Sequence, residues 1–320
     1  MKNQQHQVIC FGEVLWDNLP SGKKPGGAPM NVAYHLKKLG ISSALISRVG
    51  NDQDGDDLLK VIKGLDLSVE LCQIDKQYKT SLVEVVITPD HEVKYDIVFP
   101  VAWDFIEYDP RLESTLREAE VFVFGSLVSR SEVSRTTLDR ILDLVAYKVF
   151  DVNLREPHYE KEHIAYLLHK TDLLKLNIHE LNLISGWFGK SSDSEAEKVQ
   201  LLQQGFNINE VIVTKSSKGA SYYSNKIQYH YPAYKVEVQD TVGSGDSFLA
   251  AFLSKKLSGE YLEGTLDFAV AVGAFITMQA GACPQYTRDD LKRFIWKTQL
   301  NEQNMQLQAK QAVTNHKLNK

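Results

Sequence analysis

The segment Asp240–Phe248 (DTVGSGDSF) combines two glycines with an acidic residue at the start of an apolar helix. Gly243 and Gly245 allow a tight turn whose N–H groups are exposed, at a helix N-terminus that favours an anion such as phosphate. Asp246 falls in the first helical turn, where a carboxylate could accept a proton from a hydroxyl attacking a phosphoryl group. A plain glycine turn with Asp246 as a helix cap fits the same residues.

Two further polar clusters occur near the N-terminus. In Gly26–Ala33 (GGAPMNVA), the glycines suit a tight entry into a helix, and the Asn31 amide can both donate to and accept from a sugar hydroxyl. In Gly12–Asp17 (GEVLWD), Asp17 follows the first predicted strand, where open α/β sheets bind ligands, and it could hold two vicinal hydroxyls. Taken singly, each cluster also fits an ordinary turn.

Two more clusters follow predicted strands in the middle of the chain. Asp151–Arg155 (DVNLR) ends a strand, and Arg155 could contact substrate or phosphate, or form only a surface ion pair. Asn177 and Glu180 (NIHE) have the i, i+3 spacing that could order water around Mg²⁺. The same spacing fits a helix capping box. Five polar clusters thus fall at predicted strand ends or helix starts, and this coincidence favours a functional site over five unrelated turns.

Alternating β-rich and helical apolar patterns predict the elements that position these clusters. The predicted strands are Val8–Phe11, Ser43–Val49, Val121–Phe124, Lys148–Val152, Leu173–Leu176, Glu210–Thr214 and a strand-like run at Lys235–Val238. The predicted helices are Pro29–Leu39, Asp52–Lys63, Val133–Leu144, Lys161–His169, a short one after His179, Glu195–Gln204, Ser244–Lys256, Leu262–Gln279 and Thr287–Trp296. Two hairpins are predicted, at Ser81–Phe99 around Pro89–His91 and at Ala220–Tyr231 around Ser224 and Asn225.

This alternation predicts an α/β fold with a mostly parallel central sheet and helices on both faces. We expect one α/β domain over residues 1–300, with a small lid formed by about 13–25 and 80–105. The polar tail at 301–320 is expected to be a frayed helix or disordered.

Composition excludes several classes of protein. The formal net charge of −5 argues against a general nucleic-acid binder. Three widely spaced cysteines suit a reducing compartment, and no export signal or membrane-spanning run is visible, so we expect a cytoplasmic protein. No phosphate-binding P-loop, dinucleotide fingerprint or zinc motif occurs in the sequence.

Two separated signatures resemble those of the ribokinase-like, or PfkB, carbohydrate kinases. GGAPMNVAYHLKKLG is similar to the family's N-terminal motif and DTVGSGDSF to its C-terminal motif, while DVNLR and NIHE match in type and order. The resemblance runs from about Val8 to Trp296, and GEVLWDNLP followed by GGAPMN is most similar to fructokinases. It implies a ribokinase-like three-layer αβα fold with a small β-lid, which in the family often pairs with a second subunit.

The resemblance also implies roles for individual residues. Asp246 would be the base, and the backbone of Gly243, Ser244 and Gly245 would form an anion hole for the transferred phosphate. The residues implied to hold the sugar are Asp17, Gly27, Asn31 and Arg155. Those implied for the nucleotide are Asn177 and Glu180 with Mg²⁺, and Thr214 and Gly219 at the ends of a loop. Asp240 and the backbone of Val242 would contribute to a monovalent cation site, often K⁺.

The function expected from the resemblance is ATP-dependent phosphorylation of a sugar hydroxyl, with fructose at a primary carbon as the leading substrate. Ribose, 2-keto-3-deoxygluconate and a nucleoside are alternatives. The chain departs from the family at Ser216, which replaces the first glycine of the nucleotide loop. Its lid also lacks an arginine that many fructokinases carry in Tyr95–Trp103.

Two alternatives to a kinase come from other classes of protein. Gly245–Phe248 (GDSF) resembles the GDSL box of lipases, with Ser247 as nucleophile, although no Asp-x-x-His follows it. A sugar-binding protein without activity is the other alternative, and the presence of Asp246 argues against it.

Overall fold

Two β-sheets organise the computed structural model, which describes residues 7–19, 22–87, 93–189 and 192–300. The strands of these residues are β1 (Val8–Phe11), β2 (Leu15–Leu19), β3 (Gly22–Gly26), β4 (Ser43–Gly50), β5 (Cys72–Asp75), β6 (Ser81–Ile87), β7 (Val93–Ile97), β8 (Val121–Gly125), β9 (Lys148–Asp151), β10 (Leu173–Asn177), β11 (Glu210–Thr214), β12 (Ala220–Ser224) and β13 (Gln228–Tyr231). The helices are α1 (Ala28–Lys38), α2 (Gln53–Gly64), α3 (Glu113–Glu118), α4 (Glu132–Leu142), α5 (Lys161–His169), α6 (Ile178–Phe188), α7 (Glu195–Phe206), α8 (Ser244–Leu257), α9 (Leu262–Thr277) and α10 (residues 288–300).

The larger sheet of the described chain has nine strands in the order β13-β12-β11-β10-β9-β8-β1-β4-β5. In this order, every neighbouring pair of strands between β11 and β5 is parallel. The hairpin β12–β13 adds two antiparallel strands at the β11 edge. Parallel strands must be covered on both faces, which explains why β1 and β8 are apolar and buried throughout. The predicted α/β fold with a mostly parallel sheet is confirmed.

Alternation along the strands divides the core into two halves. In β1, Val8 and Cys10 belong to one cluster, together with apolar residues of α1, α8 and α9. Ile9 and Phe11 belong to the other cluster, which includes residues of α4, α5, α6 and α7. Successive side chains of a strand point to opposite faces, so the fold has three layers, helix–sheet–helix.

Helix α8 lies inside the first of these layers. Its residues Ser247–Ser254 are all buried, because it packs between α1, α9 and the sheet. Gly273 on α9 allows a close approach, since a Cβ there would lie 3.4 Å from the carbonyl oxygen of Ser244. Helix α9 thus packs closely against α8 and fixes the end of α8 that carries Asp246.

The smaller sheet has the order β3-β2-β6-β7 and stands over one end of the larger one. It corresponds to the predicted lid region, and β6 and β7 form the predicted antiparallel hairpin. The turn at Pro89–His91 and the tail at 301–320 lie outside the described residues. Residues 102–105 form a 3₁₀ turn in which Trp103 and Asp104 are fully buried. That turn packs in the main body, and the division into one domain with a lid stays a prediction.

One predicted strand is wrong. Lys235–Val238 has the alternating pattern of a strand but is irregular in the structure. The N–H groups that follow, of Gln239 and Asp240, donate to the carbonyl oxygen of Thr277, so the segment runs against the end of α9 instead of extending the sheet. None of the helices in the described ranges is both long and apolar enough to span a membrane.

Candidate active site

A cavity of about 620 Å³ lies between the carboxyl ends of the parallel strands and the small sheet. This is the edge at which open α/β sheets bind ligands. All the predicted site residues except Ser244 and Gly219 line it, namely Asp17, Gly27, Asn31, Arg155, Asn177, Glu180, Thr214, Asp240, Val242, Gly243, Gly245 and Asp246. Residues that are 229 positions apart in the sequence thus meet at one cavity.

The start of α8 forms the floor of this cavity. Gly243 caps the helix with φ +75°, and a Cβ at this position would lie 2.7 Å from Ala282. Both the left-handed backbone and the close neighbour require glycine. The amides of a first helical turn lack partners within the helix, so this turn offers donors and the positive end of the helix dipole to an anion.

Ser244 departs from its predicted place in the anion hole. Its N–H donates to the carbonyl oxygen of Thr241 at 3.3 Å, and its Oγ donates to the carbonyl oxygen of Gly273. The hydroxyl bonds to α9 because that helix packs close enough to accept it, and Ser244 is not among the residues that line the cavity. Gly243 and Gly245 remain as the glycines of the turn that line the cavity.

Asp246 lies in the first turn of α8 and faces the cavity. The Asn31 side chain donates to its Oδ2 at 2.8 Å. Burial and the neighbouring negative charge of Asp151 raise the pKa of Asp246 to about 6, against the opposing effects of Lys175, the Asn31 hydrogen bond and Arg155. A carboxylate with a pKa near neutrality, at the N-terminus of a helix, is suited to act as a general base.

Asn31 is held in one orientation by a second hydrogen bond. The thiol of Cys283 donates to Asn31 Oδ1 at 3.3 Å, which leaves the amide nitrogen directed at Asp246. Asn31 sits on α1, whose entry is set by Gly27 with φ +116°. A Cβ on Gly27 would lie 2.3 Å from the carbonyl oxygen of Glu13, so only glycine fits there.

Asp17 and Arg155 approach the cavity from opposite sides, Asp17 on β2 of the small sheet and Arg155 on the loop after β9. Burial raises the pKa of Asp17, and the positive charge of Arg155 opposes that effect. Gly26 leaves room for this carboxylate, because a Cβ there would lie 2.4 Å from Asp17 Oδ2. The pair can present an acceptor and a cation to a polar ligand between the two sheets.

Asn177 and Glu180 form the capping box that their spacing also predicted. Asn177 Oδ1 accepts from the N–H groups of His179 and Glu180, and Glu180 Oε2 accepts from the N–H of Asn177. Glu180 Oε1 accepts from the N–H of Leu154, which ties the cap to the Arg155 loop. Burial raises the pKa of Glu180. The box lines the cavity, so a structural cap and a role toward Mg²⁺-bound phosphate are compatible.

The loop from Thr214 to Gly219 is placed only partly as predicted. Thr214 lines the cavity, but Gly219 does not. Gly219 has φ +84°, and a Cβ there would lie 2.0 Å from the carbonyl oxygen of Tyr231, so its role is in the backbone turn. Ser216, where the family has glycine, also has a positive φ of 49° and keeps the left-handed conformation with a side chain.

Asp240 and Val242 lie on the loop that precedes α8. Asp240 Oδ1 accepts from the N–H of Val242, and Oδ2 accepts from the N–H of Gly281, both at 3.0 Å. These bonds hold two loops together beside the Gly243 turn. Asp240 offers oxygen ligands there, and the monovalent cation site stays a prediction. The described residues contain no group of three or more His, Cys, Asp or Glu side chains placed to hold a metal.

Two buried charged residues at the cavity, Glu13 and Lys175, were not predicted as site residues from the sequence. Glu13 is buried, with Oε1 accepting from the N–H of Ala28 and Oε2 without a partner among the described residues. Burial raises the pKa of Glu13 to about 7. Lys175 on β10 is buried and bonded to Asp151. The lysine within the apolar run LLKLN was the sequence signal that could have identified this residue, because a buried charge requires a partner.

The hydrolase reading of Gly245–Phe248 is wrong. Ser247 is fully buried, and its hydroxyl donates to the carbonyl oxygen of Ser244 at 3.0 Å. It is not among the residues that line the cavity. A nucleophile must be accessible to its substrate, and this hydroxyl is enclosed by helix packing.

Comparison with known proteins agrees with this geometry. The model of the "pfkB family carbohydrate kinase" matches residues 7–288. The chain belongs to this family. The predicted resemblance is thereby confirmed, and this carbohydrate kinase has the ribokinase-like fold.

Several individual relatives of the chain are fructokinases. The kinase is 31% identical over 306 residues to "Probable fructokinase-5" of Arabidopsis thaliana, covering 87% of this chain and 93% of the relative. A fructokinase structure with bound ATP from Xylella fastidiosa superposes with a TM-score of 0.81 at 22% identity, covering 91% and 98% of the two chains. A Vibrio cholerae fructokinase double mutant with fructose, ADP and potassium ion gives a TM-score of 0.77 at 23% identity, covering 92% and 100%.

Proposed function

We propose that this kinase transfers the γ-phosphoryl group of ATP to a primary hydroxyl of fructose. The observation that carries the proposal is Asp246, which faces a cavity at the N-terminus of α8 with its Oδ2 bonded to Asn31. The resemblance to fructokinases supports fructose as the sugar and ATP as the donor. Ribose, 2-keto-3-deoxygluconate and a nucleoside are the alternatives within the family.

In the proposed reaction, Asp246 accepts the proton of the sugar hydroxyl as the hydroxyl oxygen attacks the γ-phosphorus. The new O–P bond forms while the bond to the β–γ bridging oxygen breaks, and ADP leaves. Asn31 holds one carboxylate oxygen, Oδ2, while Oδ1 accepts no hydrogen bond from the described residues and is free for the hydroxyl. The N–H groups and dipole at the start of α8 favour the charge on the transferred group.

The sugar is proposed to bind between Asp17 on the small sheet and Asn31 on α1, beside Arg155. These side chains supply acceptors, donors and a cation on opposite walls of the cavity, which suits several hydroxyl groups at fixed positions. Leu15, Val83 and Ile97 of the small sheet cover the same space with apolar surface. Such a cover excludes water from the reacting group and limits hydrolysis of ATP.

Mg²⁺ and K⁺ are part of the proposal. Mg²⁺ keeps several waters and takes few protein ligands. Asn177 and Glu180 line the cavity, and the described residues contain no group of three or more His, Cys, Asp or Glu side chains placed to hold a metal, which fits this mode of binding. When bound, Mg²⁺ neutralises charge on the nucleotide phosphates. The carboxylate of Asp240 beside the Gly243 turn is the oxygen donor we assign to K⁺.

The proposal also covers assembly and location. The small sheet ends in β3 and β7, whose outer edges are unpaired within the described chain. Unpaired strand edges are suited to contact another chain, and we propose a homodimer through this lid. The free thiols of Cys10, Cys72 and Cys283 support a cytoplasmic location.

A substrate panel with coupled ADP detection tests the function. Fructose, ribose, 2-keto-3-deoxygluconate and a nucleoside are compared at saturating ATP and Mg²⁺, with and without K⁺, and Asp246→Asn serves as the matched blank. We expect the highest kcat/KM with fructose. A higher kcat/KM with another panel member would identify that compound, and not fructose, as the preferred substrate. Sugar binding without ADP release from any panel member would refute the proposed kinase activity.

A further inference from the structure

Lys175 carries a buried positive charge at the back of the cavity. It lies on β10, directly opposite Asp151 on the parallel neighbour β9, and it is 7% exposed. Its Nζ donates to both carboxylate oxygens of Asp151, at 2.7 Å to Oδ1 and 2.8 Å to Oδ2. Both hydrogen bonds therefore join the ammonium group to one carboxylate, at the carboxyl end of β9.

The pairing leaves part of the ammonium group unused. Lysine has three N–H donors, and the third has no partner among the described residues. A buried ion pair recovers its desolvation cost only when its remaining donors are also satisfied. Lys175 lines the cavity, so the missing partner is to be sought there.

The position of the ammonium group indicates what that partner is. An ideal Cβ on Gly245 would lie 3.1 Å from Lys175 Nζ, so the charge sits against the turn that opens α8. The nearby carboxylates of Asp246 and Glu180 act on it only through space, without a hydrogen bond to it in the described structure. A compact cation beside exposed amides at a helix start is a phosphate-binding combination.

We propose that Lys175, fixed by Asp151, donates a hydrogen bond to the γ-phosphoryl group of the bound nucleotide. This inference rests on the proposed function, because it assigns a residue to the donor side of that reaction. Asp151 positions the ammonium group, and Gly245 leaves the space through which it reaches the phosphate. In this proposal Lys175 and Asp151 serve nucleotide binding as well as the stability of the sheet.

The test compares two nucleotides that differ in the γ-phosphoryl group. The affinities of ADP and of the non-hydrolysable imido analogue of ATP are measured with Mg²⁺ by calorimetry, for the wild type and for Lys175→Met/Asp151→Asn. The double variant removes both charges and leaves neither one buried alone. We expect its affinity for the imido analogue to fall at least tenfold and its affinity for ADP to change less than threefold. We also expect kcat to fall about 10²-fold or more, as when one transition-state donor is lost.

A matched control is available elsewhere in the fold. Lys256 Nζ donates to both oxygens of Glu210, at 2.9 and 2.8 Å, away from the cavity. Lys256→Met/Glu210→Gln removes a pair of the same geometry, and we expect its ratio of imido-analogue affinity to ADP affinity to match the wild type. Should the double variant at Lys175 and Asp151 not fold, Lys175→Gln/Asp151→Asn removes the same two charges, keeps polar groups at both positions and gives the same ratio to measure.

The outcomes separate this inference from the proposed function. If the ratio of imido-analogue affinity to ADP affinity in the Lys175 variants stays within twofold of the wild type, the proposed contact with the γ-phosphoryl group is wrong. This includes the case in which the affinities for both nucleotides fall by the same factor. The binding ratio needs no turnover, so it decides the role of Lys175 even when the panel shows no fructose phosphorylation. A wild-type protein that binds neither nucleotide would refute both.

Discussion

Replacing the proposed base should make the protein more stable at neutral pH while removing its activity. In the folded protein the pKa of Asp246 is raised from 3.8 to about 6, first by burial and then by the charge of Asp151. Between these two pKa values the folded state binds the proton more tightly than the unfolded state does. The free energy of unfolding therefore decreases as pH rises through this window.

The size of the effect follows from the two pKa values. Each pH unit between them corresponds to about 1.4 kcal/mol, so an ionised Asp246 costs as much as about 3 kcal/mol at pH 7. Asp246→Asn keeps an acceptor for the Asn31 amide and removes the charge. We expect the variant to gain up to about 3 kcal/mol over the wild type at pH 7, and to gain nothing below about pH 4.

Urea unfolding of both proteins at pH 4, 5, 6 and 7 measures this difference. Asp52→Asn is the matched control with the opposite sign. Burial alone would raise the pKa of Asp52, but hydrogen bonds from Thr80 and Gly55 outweigh it and lower the pKa. That variant should lose stability at pH 7. A variant at Asp246 that is less stable than the wild type at pH 7, or equally affected at all four pH values, would refute the reasoning.

Three further experiments test the rest of the site. Gly243→Ala should lose at least about 1–2 kcal/mol in urea unfolding from its left-handed backbone alone. Gly245 is not left-handed, and a Cβ there would meet only Lys175, with Nζ at 3.1 Å, so Gly245→Ala should lose less; equal losses would contradict the assigned turn. Asp17→Ala should raise the KM for the sugar about 10- to 100-fold in steady-state assays, the worth of a charged hydrogen bond, and leave the KM for ATP within threefold. Cys283→Ala should lower kcat about fivefold through loss of the Asn31 hydrogen bond, and Cys283→Ser should restore it; equal rates would exclude the orienting role.

Much of the architecture could be predicted because it depends on local pattern. Parallel strands between helices bring their carboxyl ends to one edge, so Asp17, Asn31, Arg155 and Asp246 were expected to meet, and they line one cavity. The turn at Gly243 was visible as well, because glycine before an apolar helix marks a special backbone.

What the sequence did not reveal depends on contacts between distant segments. The orphaned oxygen of Glu13 and the pairing of Lys175 with Asp151 appear only when neighbouring strands are aligned. Ser244 turns from the cavity because α9 supplies an acceptor, which the motif itself does not contain. Lys235–Val238 has the pattern of a strand, but its neighbouring N–H groups are taken by the end of α9.

The central claim is that Asp246 accepts the proton of a sugar hydroxyl as that hydroxyl attacks ATP. Its most direct test is the turnover of Asp246→Asn with fructose and ATP, measured together with the dissociation constants of fructose and the imido analogue. We predict that kcat falls by about 10²–10⁴-fold or more, while both dissociation constants stay within threefold of the wild type. A kcat within tenfold of the wild type would contradict the claim.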